Sequence, residues 1–201
     1  MLFISTFRNN KENVIINDKI SLNDYIKAEA ILVKHIFEYC KLNKKTLYIL
    51  PTPKKNQEFA EKQFFKNLFE QEENWKFLKR KNNDFDYPYN TVDQSEIVVG
   101  IDSTLLYESF ARGTKTIFFD IRPKNSYLAK KRHFAWPKKY KKDGPFWTSS
   151  NEPKKIHQII KNVSLINSKD LKKIINKYKK NLMVTDDKNS LLKKIIKKYL
   201  K

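Results

Sequence analysis

Glycine, cysteine and arginine are scarce in this chain, and each shortage narrows its function. Of 201 residues only 3 are glycine, namely Gly100, Gly113 and Gly144. They are too widely spaced for the G-x-G-x-x-G turn that cradles a dinucleotide. The single cysteine, Cys40, excludes an internal disulfide and any cysteine-rich metal site. It falls on the apolar stripe of a predicted helix, which reads as a buried thiol rather than a reactive one. His133 and His157 stand at no metal-ligand spacing with a carboxylate cluster, and His35 lies in a predicted helix, so no metal site is expected. No Ser-His-Asp, Cys-His or paired-carboxylate arrangement stands out. No apolar run reaches the roughly 18 residues needed to span a bilayer, and no signal peptide precedes Leu2. The expected location is the cytoplasm, at most peripheral on the inner membrane face.

Lysine is what the chain has in excess. It outnumbers arginine 37 to 5, and the net charge is +20. From Lys154 to Lys201 there are 15 lysines against three aspartates (Asp170, Asp186 and Asp187), a net of +12. Such a field attracts anionic lipid, nucleic acid or anionic substrate. Frequent Asn and Ile beside the lysines equally fit a compositional bias of the coding sequence. Aromatic side chains are not interleaved with the lysines as stacking platforms, and no nucleic-acid-binding motif is present, so nucleic acid is not an expected partner. With 40% hydrophobic and 13% aromatic residues, the chain can build a core of one domain.

Apolar periodicity gives the order of elements. Residues 2–6, 45–50, 75–78, 97–99, 116–119 and 146–148 read as short buried strands. Helices are predicted over 22–42, with Ile26, Ala30, Val33, Phe37 and Cys40 on one face, over 57–71, and over 105–112. Residues 81–94 read as a polar, aromatic loop containing Phe85, Tyr87, Pro88 and Tyr89. Alternation of this kind predicts an α/β, Rossmann-like, doubly wound and mostly parallel six-stranded sheet in the order 3-2-1-4-5-6. Residues 1–165 would form this domain. Residues 166–201 would form a basic helical extension, within a strandless tail of three helices near 152–163, 168–183 and 188–200. In the last, Leu191, Leu192, Ile195, Ile196, Tyr199 and Leu200 share one face, and Lys193, Lys194, Lys197 and Lys198 the other. The ordinary expectation is that this apolar stripe rests on the domain; the alternative is an anionic membrane surface.

The most informative run is 95–122, S-E-I-V-V-G-I-D-S-T-L-L-Y-E-S-F-A-R-G-T-K-T-I-F-F-D-I-R. A strand ends in Gly100, three candidate caps follow (Asp102, Ser103 and Thr104), and a helix runs to Arg112, where Gly113 stops it. A second strand then begins, which makes a compact parallel βαβ crossover. Its turn offers backbone N–H groups, two hydroxyls and a positive helix end to an anionic ligand. This turn resembles the donor-site turn of GT-B glycosyltransferases. With F-A-W-P-K-K-Y (134–140), G-P-F-W-T (144–148) and the opening L-F-I-S-T-F-R (2–8), it resembles the C-terminal, donor-binding half of bacterial surface-carbohydrate biosynthesis transferases, those of capsule and lipopolysaccharide, over roughly residues 1–160.

The resemblance implies a nucleotide sugar bound as substrate, no cofactor, and an acceptor domain supplied by a partner protein, because the chain has length for one of the two domains such an enzyme needs. Gly100, Ser103, Thr104 and Arg8 are the phosphate-binding candidates, and Glu108, one turn further along, would hold the ribose. The competing role for Glu108 is an ion pair with Arg112 at i+4. Asp102 reads best as a helix cap. Ser5 and Thr6 after the first strand, and Arg122 after the fifth, reach the same sheet edge. Where related transferases carry His-Pro after the second strand, this chain has L-P-T-P-K-K (50–55), with Thr52 replacing histidine and Lys54 or Lys55 as the nearby charge. Trp136, Phe146 and Trp147 read as core closure before ring stacking. No catalytic residue is assigned, since the general base of such enzymes comes from the other domain. A non-catalytic nucleotide-binding domain or a degenerate transferase fragment is the alternative function, ahead of a basic nucleic-acid-binding protein.

Overall fold

A computed structural model of the chain describes residues 1–7, 15–16, 20–70, 72–80, 84–121, 134–135, 138–183 and 190–199. Six strands form one sheet: β1 (Leu2–Ile4), β4 (Leu47–Leu50), β5 (Trp75–Phe77), β6 (Val98–Gly100), β7 (Thr116–Phe119) and β8 (Trp147–Thr148). Their order is β5-β4-β1-β6-β7-β8 and all five pairings are parallel. This is the doubly wound 3-2-1-4-5-6 arrangement that alternating strands and helices predict. A separate two-stranded antiparallel ribbon, β2 (Ile15–Ile16) with β3 (Ile20–Ser21), lies where the sequence reads as loop. Its two-residue strands are too short to leave a period.

The central strands are short because each needs only enough apolar residues to cross a core covered on both faces. Leu2, Phe3, Ile4, Val98, Val99, Gly100 and all of β7 are buried. On one side, α1 (Leu22–Leu42) packs against α2 (Glu58–Phe69) and α5 (Pro153–Leu165). Leu32, Val33, Ile36, Phe37 and Cys40 bury the face of α1 that helical spacing predicts. The Cys40 thiol lies 3.9 Å from the Met1 sulfur, and burial pushes its pKa up to about 11. It is an inert core thiol. On the other side, α4 (Thr104–Arg112) packs against α3 (Tyr87–Asp93) and α6 (Ser168–Leu182).

Helix α3 corrects the reading of 81–94 as loop. Asp84 accepts a hydrogen bond from the Tyr87 N–H at 2.9 Å, and Pro88 sits in the first turn, where a missing N–H costs nothing. Gly113 ends α4 in the left-handed region, φ 104°, as its position predicts.

An aromatic cluster closes the far edge of the sheet. Phe110 stacks on Phe146 at 4.4 Å, Phe134 on Trp147 at 5.1 Å, and Tyr178 of α6 meets the edges of Phe146 and Trp147 at 5.1 and 5.4 Å. Phe146 and Trp147 therefore serve the core, as expected, while Trp136 lies outside the described residues. The 144–148 motif has a steric reason. A Cβ on Gly144 would stand 2.2 Å from the Trp147 ring, which is held by its indole N–H donating to the Lys141 carbonyl at 2.9 Å.

The last helix, α7 (Ser190–Tyr199), departs from expectation. Leu192, Ile195, Ile196 and Tyr199 do not settle on the domain; they remain 44–78% exposed. These four side chains are apolar and exposed; Leu200 and the side chain of Leu191, which share the predicted stripe, lie outside the described residues.

Gly144→Ala should destabilise the domain by about 1–3 kcal/mol, the cost of overpacking against a ring that cannot retreat. Urea unfolding measures it; an unchanged midpoint would show that Trp147 has room to move.

Candidate functional site: the carboxyl edge of the central strands

Strands β1 and β6 are neighbours with Ile4 opposite Gly100. They belong to the two halves of the sheet, so the chain leaves them in opposite directions and opens the position where doubly wound folds take ligands. Gly100 keeps this junction tight, since a Cβ there would come 3.2 Å from the Ile4 carbonyl oxygen. The fold thus brings Ser5 and Thr6 to one edge with Asp102, Ser103 and Thr104. Arg8 and Arg122 lie outside the described residues.

The hydroxyls at this edge fall into two groups. Ser5 Oγ donates to Glu29 Oε1 at 2.7 Å and accepts from the Phe7 N–H at 3.1 Å. Thr6 Oγ1 donates to Glu29 Oε2 at 2.6 Å, and the Thr6 N–H reaches both carboxyl oxygens at 3.3 Å. These groups are committed to the protein itself. Thr52, after β4, repeats the pattern: its N–H stands 3.1 Å from both oxygens of Glu61, and its hydroxyl donates at 2.9 Å. In each case, a glutamate from the helix after the strand reaches back and holds the strand's end.

Ser103 and Thr104 are different. Ser103 occupies the N-cap position of α4 (φ −71°, ψ 137°), one residue later than the Asp102 cap the sequence favours, and its side chain makes no capping hydrogen bond. The Thr104 side chain is exposed. Both hydroxyls stand at the positive end of a helix whose first backbone bond runs from the Leu106 N–H to the Ser103 carbonyl at 2.9 Å, so the Thr104 and Leu105 N–H groups lie ahead of it. Glu108 does not pair with Arg112. Arg112 binds Asp93 on α3 and lies over the Tyr89 ring at 5.6 Å, while the neighbouring Glu108 carboxylate raises the pKa of the Tyr89 hydroxyl. Helix α3, invisible in the sequence, thus supplies partners for this side of α4.

Glu29 and Glu61 are residues that sequence reasoning missed. They are 3% and 0% exposed. Burial, opposed in part by the hydrogen bonds from Thr6 and Ser5, raises the Glu29 pKa from an ordinary 4.5 to about 7. Nearby Glu61 adds to the rise, and its own pKa is raised by burial. The signal was available. Glu29 lies three residues after Ile26 and four before Val33, on the stripe that faces the core. Arg80 was missed too, although it follows β5 as Arg8 follows β1. Its Nε donates to the Pro51 carbonyl at 2.8 Å, and the Glu61 charge opposes the lowering of its pKa by burial.

A groove of about 620 Å³ lies elsewhere, between the C-terminal parts of α1 and α2, lined by Lys34, Phe37, Lys41, Phe69 and Glu72 among others. It sits toward the amino ends of the strands, and two of its charges, Lys41 and Glu72, pair with each other at 2.6 Å. Among the described residues, no group of three or more His, Cys, Asp or Glu could hold a metal ion.

The model of one protein family, described as "putative O-antigen biosynthesis protein", matches residues 1–200. The chain belongs to that family. No curated protein and no solved structure matches it. The description places this O-antigen biosynthesis family in the making of surface carbohydrate, the process to which the 95–148 motifs point. Among the described residues of this family member, no helix is long and apolar enough to cross a membrane.

The buried carboxyls make the edge pH-dependent. Glu29 binds its proton more tightly folded than unfolded, so its stabilisation is complete below about pH 4.5 and lost as pH rises to about 7. Glu29→Gln should reduce the proton uptake linked to folding in this window by about one and should leave stability at pH 8 equal or higher. Unfolding free energies measured across the window decide it. An unchanged slope would mean that Glu29 is already ionised at its site.

Proposed function

We propose that this protein is the nucleotide-sugar-binding half of a GT-B-type glycosyltransferase that acts in O-antigen or related surface-polysaccharide synthesis, completed by an acceptor domain on a partner protein. The observation that carries this reading is the start of α4. It presents two uncommitted hydroxyls and a helix N-terminus at the switch point, while Ser5, Thr6 and Thr52 beside it are held by Glu29 and Glu61. A donor diphosphate or monophosphate placed there would receive hydrogen bonds from the Ser103 and Thr104 hydroxyls and from the Thr104 and Leu105 N–H groups. Those donors would stabilise the negative charge that grows on the departing phosphate as the sugar leaves. Arg8, which follows β1 in the sequence, and Arg122, which follows β7, would add forked cations. The ribose role of Glu108 requires the nucleotide to share that carboxylate with Tyr89 or displace it. Near neutral pH the raised pKa of Glu29 limits the repulsion that a carboxylate beside phosphate would otherwise cause.

Calorimetry of the chain against nucleoside mono- and diphosphates should give weak binding, and the chain alone should transfer no sugar. Ser103→Ala with Thr104→Ala should lower that affinity at least about tenfold, because each hydrogen bond to a charged group is worth about 1.5–3 kcal/mol. Fold stability should barely change, since the Ser103 side chain makes no capping bond to lose. Wild-type affinity in a folded double variant would remove the phosphate role. Binding without transfer even when the acceptor protein is supplied would favour a non-catalytic nucleotide-binding domain.

A further inference from the structure

The uncovered face of α7 has chemistry that selects its occupant. Leu192, Ile195, Ile196 and Tyr199 follow one another at spacings of three, one and three residues, and so form a single stripe along the helix. Lys193, Lys194, Lys197 and Lys198 occupy the opposite half, and no acidic residue lies between Ser190 and Tyr199. Every side chain described in this helix is exposed. An aqueous helix with this pattern leaves its apolar half in water, where it gains nothing.

Three occupants can be weighed. A nucleic-acid backbone would satisfy the lysines and leave the apolar stripe unused. A second copy of the helix would cover the stripe and bring two lysine rows together at its margins, with no carboxylate on either helix to offset them. An anionic lipid surface satisfies both halves: the stripe enters the headgroup and acyl boundary, and the lysines meet the lipid charges. The helix is too short to cross, so it lies in the plane. Eleven further lysines between Lys154 and Lys201 add positive charge beyond the four of α7. We infer that α7 anchors this protein peripherally on an anionic membrane by inserting Leu192, Ile195, Ile196 and Tyr199 between lipid headgroups. That role is independent of the ligand taken at α4.

Co-sedimentation of the full chain with vesicles tests this. The chain should bind mixed phosphatidylglycerol–phosphatidylcholine vesicles at low salt, and binding should fall at least about tenfold on phosphatidylcholine alone. Ile195→Ser with Ile196→Ser keeps the charge and removes the apolar anchor; it should weaken partitioning at least about tenfold. Replacing Lys193, Lys194, Lys197 and Lys198 by Gln should weaken it comparably and flatten its salt dependence. All six positions are exposed, so the variants should melt as the wild type does. Unchanged binding of the Ser pair, equal binding to uncharged vesicles, or self-association through α7 without vesicle binding would each overturn the inference.

Discussion

The pairing of β1 with β6, Leu2 to Val98, Phe3 to Val99 and Ile4 to Gly100, fixes everything that follows at the sheet's carboxyl edge. These two strands are neighbours in space and nearly 100 residues apart in sequence. Around them, the chain winds one way to β4 and β5 and the other way to β7 and β8. The helices that follow β1 and β6 consequently pack on opposite faces of the sheet, and α4 begins at the junction with Leu106 buried and the Thr104 side chain exposed. A Cβ at position 100 would stand 3.2 Å from the Ile4 carbonyl oxygen, a contact tight enough that the neighbouring strand would have to shift slightly. One of the chain's three glycines is spent at this junction.

The same edge shows how backbone groups divide between structure and ligand. Parallel strands end with N–H groups that need acceptors. At β1 and β4, those acceptors are internal: Glu29 and Glu61 reach back from α1 and α2 and hold Thr6 and Thr52 by backbone and hydroxyl alike. The cost is two nearby buried carboxyls with raised pKa values. At β6, the glutamate of α4, Glu108, lies beside Tyr89 of α3, and the Ser103 and Thr104 hydroxyls have no comparable clasp. The difference between clasped and unclasped strand ends is what separates a structural loop from a candidate binding turn in this fold.

Much of this architecture was legible in the residues. The order 3-2-1-4-5-6 follows from six apolar runs alternating with helical ones, and the ends of α1 and β7 fall where periodicity puts them. Gly113 announces the end of α4 because only glycine is comfortable at φ 104°. Other features were illegible for physical reasons. Around α3, Phe85, Tyr87, Pro88 and Tyr89 look like a loop because a seven-residue helix shows less than two full periods. Ser5 and Thr6 were read as candidate ligand groups because sequence shows their hydroxyls and hides their partner, 23 or 24 residues away on another element. For α7, the stripe itself was plain; whether the domain covers it depends on tertiary geometry that no local pattern encodes.

The central claim is that the turn from Gly100 to Leu106, rather than the groove between α1 and α2, meets the nucleotide. Backbone amide chemical shifts followed during titration with nucleoside mono- and diphosphates would test it most directly. The largest changes should fall on Ile101, Ser103, Thr104, Leu105 and Leu106, with Lys34, Lys41 and Glu72 unmoved. Shifts concentrated on the α1–α2 groove, or a silent 100–106 turn at saturating nucleotide, would contradict the account.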